Sequence, residues 1–405
     1  MAMATTRITT ILHAIARPQP RRFASTATFP GTHMPLTPTL VFRDPLEDKS
    51  LPCFRLVDEK GEIVRGAQDP ELGRDLMMQL YKHMVRMNGR ISFYATSLGE
   101  EAVHFGTASA LPLRDMVFGQ YREPGVLMWR GYTVQDFADQ CCGNVEGHGV
   151  GRQTPMHYGS KELNYQTIAS PLATQMPHAV GAAYGFKLAK EDRIALCFFG
   201  DGAASEGDAH AALNFAATRE CPVLFVCRNN GFAISTPTSE QYCGDGIASR
   251  GAAYGIPVMR VDGNDVIAVH VVTKFAREFI RKHNRPVLIE AMTYRQGHHS
   301  TSDDSTLYRD AAEIKKWAEE HDPIDRTRRY LMRKGWLTEE QDEALHLDER
   351  AGVLQALGAA EKKPMPGLDT MFEDVFDQKL WHLKEQEQEL QEHIAKYPEQ
   401  YGGLH

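Results

Sequence analysis

Between residues 70 and 190 the hydrophobic positions recur mostly every three or four residues, with one glycine-rich interruption. Positions at that spacing share one face of a helix, so the pattern predicts helices. The interruption, 143–159, holds five glycines and predicts a loop. The predicted helices are residues 70–88, 99–111 and 177–190.

From residue 194 the pattern changes to short, continuous apolar runs that alternate with helical segments. Such runs predict buried strands. Strands that alternate with helices predict a parallel sheet, so the fold class is α/β, with a parallel sheet flanked by helices. The predicted elements are a strand at 194–199, a helix at 206–219, a strand at 223–227, a helix at 265–284 and a strand at 286–293.

The last part of the chain is charged and follows a helical pattern from residue 311, with interruptions at Pro323, Gly335 and 362–366. This pattern predicts a helical C-terminal extension. The chain therefore divides into three parts. They are an N-terminal arm of residues 1–43, an α/β domain of residues 44–330 and the helical extension of residues 331–405.

The N-terminal arm differs in composition from the rest of the chain. Its 43 residues include five arginines but no lysine and no acidic residue. Ile8, Ile11, Leu12 and Ile15 fall at helical spacing. These features are typical of a mitochondrial transit peptide, and they predict location in the mitochondrial matrix. The alternative is a disordered basic arm.

Charge and cysteine usage exclude several classes of function. The formal net charge of -8 argues against a nucleic-acid partner, which favours a basic face. No apolar run reaches the roughly 18 residues of a membrane-spanning helix, so we expect no membrane insertion. The seven cysteines form no Cys-x-x-Cys pair, which disfavours a zinc ribbon or a redox dithiol.

Two polar turns follow predicted strands. Gly200-Asp201-Gly202 ends one strand, and Asn229-Asn230 ends the next after 26 intervening residues. Open α/β sheets bind ligands at this edge. The oxygens of Asp201 and Asn230, with a backbone carbonyl just beyond, suit Mg²⁺, and Gly202 allows close approach of a phosphate. Gly-Asp-Gly alone is also a common turn, so the signal depends on the full spacing.

Two further segments are candidates for the site. The string 118–123 places an arginine beside an aromatic residue, which suits a diphosphate, although such a hexapeptide is more often a surface loop. The loop 294–304 holds no apolar residue after Tyr294, so we expect it to be exposed. Its two adjacent histidines lack a third ligand at zinc spacing, which favours a proton donor or a phosphate contact. Ser300 is a candidate phosphorylation site.

Six strings, in order, resemble the alpha subunits of branched-chain 2-oxo acid dehydrogenases over roughly residues 85–400, and the two polar turns match a thiamine diphosphate motif. The resemblance implies a thiamine-diphosphate-binding fold. It also implies thiamine-diphosphate-dependent oxidative decarboxylation of the branched-chain 2-oxo acids that derive from valine, leucine and isoleucine. The strings are 117–123, 170–175, 202–210, 227–231, 233–242 and 297–304.

The resemblance also implies which residues hold the cofactors. Mg²⁺ is expected at Asp201, Asn230 and the carbonyl of Phe232, where many relatives have tyrosine. The thiamine body is expected to contact Ser170 and Leu172. The diphosphate end is expected to contact Gln120, Tyr121, Arg122, Gly202, Ala203, Arg228 and His299. A K⁺ site that holds the cofactor loop is expected at Ala169, Pro171, Thr174 and Gln175.

Catalysis and regulation are implied in the same way. His299 is the expected proton and charge partner during lipoyl reduction, and Ser300 matches the inhibitory phosphorylation site of a kinase and phosphatase. A second phosphoserine of the family is Asp310 here. The glutamate that activates the cofactor lies on a separate beta subunit, which implies an α2β2 heterotetramer. The acyl group then passes to a lipoyl-bearing transacylase.

The nearest alternative is a pyruvate dehydrogenase alpha subunit. Its phosphorylation loop typically reads Tyr-His-Gly-His-Ser-Met-Ser-Asp-Pro, whereas residues 295–304 read Arg-Gln-Gly-His-His-Ser-Thr-Ser-Asp-Asp. A single-chain thiamine enzyme such as a transketolase would need a second α/β domain, for which there is little room. A non-catalytic scaffold subunit would lack ligands such as Asp201 and Asn230, which are present.

Overall fold

The computed structural model describes residues 25–29, 32–36, 45, 48–88 and 96–401. Two strands, β1 (Ser25–Phe29) and β2 (Thr32–Leu36), pair antiparallel within the segment predicted to be an N-terminal arm. The predicted helical stretch from Ile8 to Ile15 lies outside the described residues. The transit peptide therefore stays a prediction.

A seven-stranded parallel sheet forms the centre of the molecule, as the alternating pattern predicts. Its strands are β3 (Cys53–Phe54), β4 (Met116–Phe118), β5 (Tyr165–Gln166), β6 (Ala195–Gly200), β7 (Val223–Asn229), β10 (Val258–Asp262) and β11 (Val287–Met292). Their spatial order is β3-β10-β11-β7-β6-β4-β5. A separate antiparallel pair consists of β8 (Phe232–Ala233) and β9 (Thr236–Pro237).

Helices pack against the sheet and define two hydrophobic cores. Side chains alternate along the central strands, so Phe198 and Val226 join one core, whereas Phe199 and Phe225 join the other. The helices are α1 (Arg74–Met87), α2 (Glu101–Ser109), α3 (Pro124–Trp129), α4 (Val134–Cys142), α5 (Gln175–Ala189), α6 (Gly207–Thr218), α7 (Thr238–Gln241), α8 (Ala248–Ala253), α9 (Val266–His283), α10 (Ala311–Glu320), α11 (Pro323–Arg333), α12 (Glu339–Ala360) and α13 (Trp381–Lys396).

Two of the C-terminal helices, α11 and α12, share the first core instead of standing apart from it. Ile324, Tyr330 and Leu331 of α11 and Val353 of α12 are buried there. The domain boundary predicted between residues 330 and 331 therefore falls inside α11. Charge density indicated helices correctly, but it did not reveal that one face of each is apolar and packs on the α/β layer.

The sheet places two polar turns side by side. Strands β6 and β7 are neighbours with Gly200 opposite Arg228, and both strands are almost entirely buried. Because they run parallel, the residues that follow them emerge at the same edge. Asp201 follows β6 and Asn230 follows β7, as the spacing predicts.

No helix among the described residues combines the length and the apolar character that crossing a bilayer requires.

Candidate active site

Asp201 is a buried carboxylate with no ion-pair partner among the described residues. It is 1% exposed, and its oxygens accept hydrogen bonds from the backbone of Asn230 at 3.3 Å and from Gln241 Nε2 at 2.9 Å. Burial raises the pKa of Asp201, because the charged form loses its solvation. A cation at this position would restore the lost stabilisation, so the site fits a metal ion.

The donors near Asp201 suit a hard cation. Asn230 Oδ1 accepts only a long hydrogen bond, from Phe232 N at 3.3 Å. The described residues contain no cluster of three His, Cys, Asp or Glu side chains able to hold a metal. A site with one carboxylate, one amide oxygen and one carbonyl leaves coordination positions for phosphate oxygens, which is the usual preference of Mg²⁺.

Arg228 lies at the base of the cleft between two buried glutamates. Its Nε donates to Glu123 Oε1 at 2.5 Å, and its Nη1 donates to Glu100 Oε2. Both carboxylates are fully buried, so each needs this cation. Burial disfavours ionised Glu100, yet Arg228 and Arg122 hold the pKa of that carboxyl below its usual value. Arg228 therefore borders the cleft with its charge already compensated.

Gln120 and Arg122 connect the cleft to its surroundings. Gln120 Oε1 accepts from Gly200 N at 2.8 Å, which fixes the turn that leads to Asp201. Arg122 is buried and donates from Nη1 to Thr96 O at 2.5 Å and from Nη2 to His299 O at 2.6 Å. Gln120, Tyr121 and Arg122 therefore line the cleft, and the string 118–123 is not a surface loop.

His299 lies between two arginines. Its Nδ1 is 3.0 Å from Arg122 Nη2 and 3.4 Å from Arg295 Nη1. Burial and these two positive charges lower the pKa of His299 to about 4, so the imidazole is neutral at neutral pH. Because Nδ1 accepts from the arginines, the ring proton resides on Nε2, which suits a donor.

The loop that carries His299 is only partly exposed, so the predicted exposure is wrong for its first residues, Tyr294 and Arg295. Tyr294, Arg295 and Arg309 are buried, and Tyr294 stacks on Trp317 with ring centroids 4.9 Å apart. Arg309 Nη2 donates to Gly297 O at 2.7 Å. Aromatic rings and arginine donors replace the apolar residues that the loop lacks. The segment around Ser300 stays accessible, and Asp310 caps α10.

The segment before α5 holds the K⁺ candidates in one turn. Thr174 Oγ1 donates to Pro171 O at 3.0 Å, and Gln175 Nε2 donates to Phe198 O at 2.9 Å. The left-handed backbone of Ala173, with φ of 64°, closes this turn. Ala169 precedes it in the same segment.

One cleft gathers most of the predicted residues, and a more apolar cavity adjoins it. Tyr121, Leu172 and His299 line both. The four K⁺ candidates line neither. The cleft is also lined by Gln120, Arg122, Asp201, Gly202, Ala203, Arg228, Asn230 and Phe232. The adjoining cavity is also lined by Met156, His157, Ile168 and Ser170, whose Oγ lies 2.5 Å from His157 Nε2.

Sequence reasoning missed the buried groups that support the site. Glu100 and Arg295 contact predicted ligands directly. Glu100 lies in no motif that signals binding, and Arg295 lies in the candidate loop 294–304 but had no predicted role. Glu123 stood in the string 118–123 without a predicted role. The signal for Glu100 is an acidic residue at the start of an apolar helix, which is more often a solvated helix terminus.

The described cleft fits an anionic, metal-bound cofactor. Arg122 and Arg295 supply positive charge, and Asp201 supplies a buried carboxylate that has no ion-pair partner among the described residues. Gly202 and Ala203 line the cleft where a short 3-10 helix (Ala203–Ser205) begins, and free backbone amides at the start of a helix can bind an anion. These features suit a diphosphate and one divalent cation.

Known proteins share this chain's sequence over most of its length. A family model described as dehydrogenase E1 component matches residues 72–369. The mitochondrial 2-oxoisovalerate dehydrogenase subunit alpha of Homo sapiens is 50% identical over 92% of this chain and 86% of its own. That of Caenorhabditis elegans is 52% identical over 87% and 84%. Subunit alpha 2 of Arabidopsis thaliana is 46% identical over 92% and 82%. This chain therefore belongs to the dehydrogenase E1 component family.

Proposed function

We propose that this chain is the alpha subunit of a mitochondrial 3-methyl-2-oxobutanoate dehydrogenase (2-methylpropanoyl-transferring). The enzyme oxidatively decarboxylates branched-chain 2-oxo acids with thiamine diphosphate. The observation that carries this function is the cleft at the ends of β6 and β7, where Asp201 and Asn230 face Arg122 and His299. Relatives that are about half identical are named for the branched-chain substrate, not for pyruvate.

The cleft would hold the cofactor through its diphosphate. Asp201, Asn230 and the carbonyl of Phe232 would bind Mg²⁺, which in turn binds the phosphate oxygens. When bound, thiamine diphosphate supplies a thiazolium carbon that adds to the 2-oxo group and accepts the electrons released as CO₂ leaves. The turn of Pro171 and Thr174 would bind K⁺ and hold the segment that carries Ser170 and Leu172. These ligand sets are proposals.

His299 would hold and donate a proton. Its neutral imidazole borders both the cleft and the apolar cavity, and its Nε2 carries the hydrogen. That position suits proton transfer to a sulfur of the lipoyl group as the acyl group moves to the transacylase. Arg122 and Arg295 keep the ring neutral and fix its orientation.

The site would be completed by a beta subunit in an α2β2 heterotetramer. The apolar residues Met156, Ile168 and Leu172 line the cavity beside the cleft and suit a branched alkyl group. The resemblance assigns the glutamate that activates the cofactor to the partner. We therefore propose that this chain alone does not turn over substrate.

Ser300 would be a regulatory phosphorylation site for a kinase and a phosphatase. It is adjacent to His299, whose backbone carbonyl accepts from Arg122. A phosphate there would add negative charge beside the groups that bind the cofactor diphosphate, and would weaken binding by repulsion.

The proposed function is tested by decarboxylation with the reconstituted alpha–beta pair in Mg²⁺ and thiamine diphosphate. We expect a strong preference for 3-methyl-2-oxobutanoate over pyruvate, and no turnover by the alpha chain alone. Preference for pyruvate would favour the alternative pyruvate dehydrogenase function. Clear turnover without the partner would refute the shared site.

A further inference from the structure

Glu100 is a buried carboxylate that contacts a proposed metal ligand without lining the cleft. It is fully buried at the start of α2, and both of its oxygens accept hydrogen bonds. Oε2 accepts from Arg228 Nη1, and Oε1 accepts from Asn230 Nδ2 at 2.9 Å. The carboxylate therefore connects the arginine at the base of the cleft to the amide at the metal position.

The amide of Asn230 has two unlike ends. Its Nδ2 only donates, and its Oδ1 only accepts, so the oxygen faces a cation only when the NH₂ group faces elsewhere. Glu100 offers acceptors alone, and so it selects Nδ2. Oδ1 is then on the side of the turn where it lies 3.3 Å from the backbone N of Phe232, the residue whose carbonyl is the proposed third ligand.

We infer that Glu100 is a positioning residue that holds the Asn230 amide with Oδ1 directed at the Mg²⁺ position. This inference rests on the proposed function, because it assumes the metal site at Asp201 and Asn230. Without Glu100 the amide can rotate, and its NH₂ group would then face the cation and repel it. Residues that hydrogen-bond to metal ligands and orient them, without touching the metal, commonly contribute roughly 10- to 100-fold to metal affinity.

The alternative is that Glu100 only neutralises Arg228. The chain offers a matched control for this alternative, because Glu123 is equally buried and accepts from Arg228 Nε at 2.5 Å. Its second oxygen accepts from Gln120 N at 2.7 Å, so no oxygen of Glu123 is directed at Asn230. Loss of either charge therefore perturbs Arg228, but only loss of Glu100 releases the amide.

The test compares Glu100→Gln with Glu123→Gln in the full chain assembled with its beta subunit. In Glu100→Gln, Arg228 requires an acceptor and therefore keeps the glutamine oxygen. The glutamine NH₂ group then faces Asn230. Because this group is a donor, the Asn230 amide turns so that Oδ1 accepts from it and no longer faces the metal. The readout is free Mn²⁺ measured by electron paramagnetic resonance in the presence of thiamine diphosphate, with Mg²⁺ as competitor. We expect the Mn²⁺ dissociation constant to rise by roughly 10- to 100-fold in Glu100→Gln and by less than about threefold in Glu123→Gln.

A second substitution provides a rescue that a purely structural role would not predict. Asn230→Asp places two acceptor oxygens at this position, so one can accept from the glutamine of Glu100→Gln while the other faces the cation. Asn230→Asp alone sets two carboxylates against each other and should weaken Mn²⁺ binding by roughly tenfold. The double variant should return to within about threefold of the parent. This comparison remains usable if Glu100→Gln alone fails to assemble.

The outcomes separate the inference from the proposed function. Equal losses in Glu100→Gln and Glu123→Gln would mean that Glu100 only balances charge, and no recovery in the double variant would contradict its action through the Asn230 amide. Unchanged Mn²⁺ binding in Asn230→Ala would instead remove the metal site, and the proposed cofactor binding with it. A loss confined to Glu100→Gln, with recovery in the double variant, supports the inference.

Discussion

The two halves of the cleft are built in different ways. Asp201 and Asn230 directly follow neighbouring buried strands, so the backbone of the sheet fixes their separation. His299 lies on a loop that side chains hold, with Arg122 and Arg295 on its ring nitrogen and Asp303 on its backbone amide. The sheet keeps the backbone of Asp201 and Asn230 in place when a neighbouring side chain changes, whereas the backbone position of the loop depends on the charged side chains that hold it. Regulation is therefore expected at the loop and cofactor anchoring at the strand ends.

The largest expected effect breaks the strand-end half. Asn230→Ala removes a proposed direct ligand and should reduce Mg²⁺-dependent binding of thiamine diphosphate by about 100-fold or more. Calorimetric titration of the assembled complex measures this loss. Asn144→Ala is the control, because it removes a buried amide that contacts Asp139 and Ala360 instead of the site. Unchanged affinity in Asn230→Ala would eliminate the metal assignment.

The second-largest expected effect comes from adding a negative charge to the loop that carries His299. Ser300→Glu places a carboxylate beside His299 and should reduce decarboxylation by roughly tenfold or more through repulsion of the diphosphate. Steady-state rates of the assembled enzyme measure this effect. Ser300→Ala, which adds no charge, and Thr301→Glu, which adds the same charge to an exposed neighbour, should retain most activity. Full activity in Ser300→Glu would rule out the switch.

A smaller effect concerns the protonation of His299 in the loop half of the cleft. The pKa of His299 is lowered to about 4 in the cofactor-free protein, below its ordinary value of 6.5. The folded loop therefore binds this proton less tightly than the unfolded chain. The contribution of neutral His299 to the stability of the folded loop is fully present above pH 6.5 and is lost as the pH decreases toward 4.

Arg295→Gln tests the cause of that shift. It removes one positive charge and should move the pKa of His299 upward, toward its ordinary value. The pH dependence of diethyl pyrocarbonate modification, followed at this residue by mass spectrometry, reports the change. Arg281→Gln is the control, because that arginine pairs with Asp192. An unchanged profile in Arg295→Gln would mean that burial and Arg122 suffice to keep the ring neutral.

The smallest expected effect concerns the third Mg²⁺ ligand. Phe232→Tyr keeps the backbone carbonyl, so cofactor affinity should change by less than about twofold. The ring is half-buried and lies 6.4 Å from Tyr294 and 6.2 Å from Tyr308, between centroids. A large loss, measured by the same titration as Asn230→Ala, would show that the side chain matters and would weaken the carbonyl assignment.

The sequence by itself determined the parts that depend on local pattern. Apolar runs predicted the parallel sheet, and the spacing between Gly200 and Asn230 predicted two polar turns at one edge. Both are consequences of chain direction, since parallel neighbours must end at the same side. The strings that contain Arg122 and His299 also carried the family resemblance. The relatives and the family model confirm that resemblance.

Only the tertiary structure decided which buried charges meet. Glu100 lies 128 residues from Arg228 and 130 residues from Asn230, and no periodicity links them. The same holds for the packing of α11 and α12 against the first core, which charge density along the chain concealed. Local patterns report the surface that each element buries. The identity of the partner across the fold depends on three-dimensional packing, and a buried ionised group is stable only where that packing supplies its counter-charge.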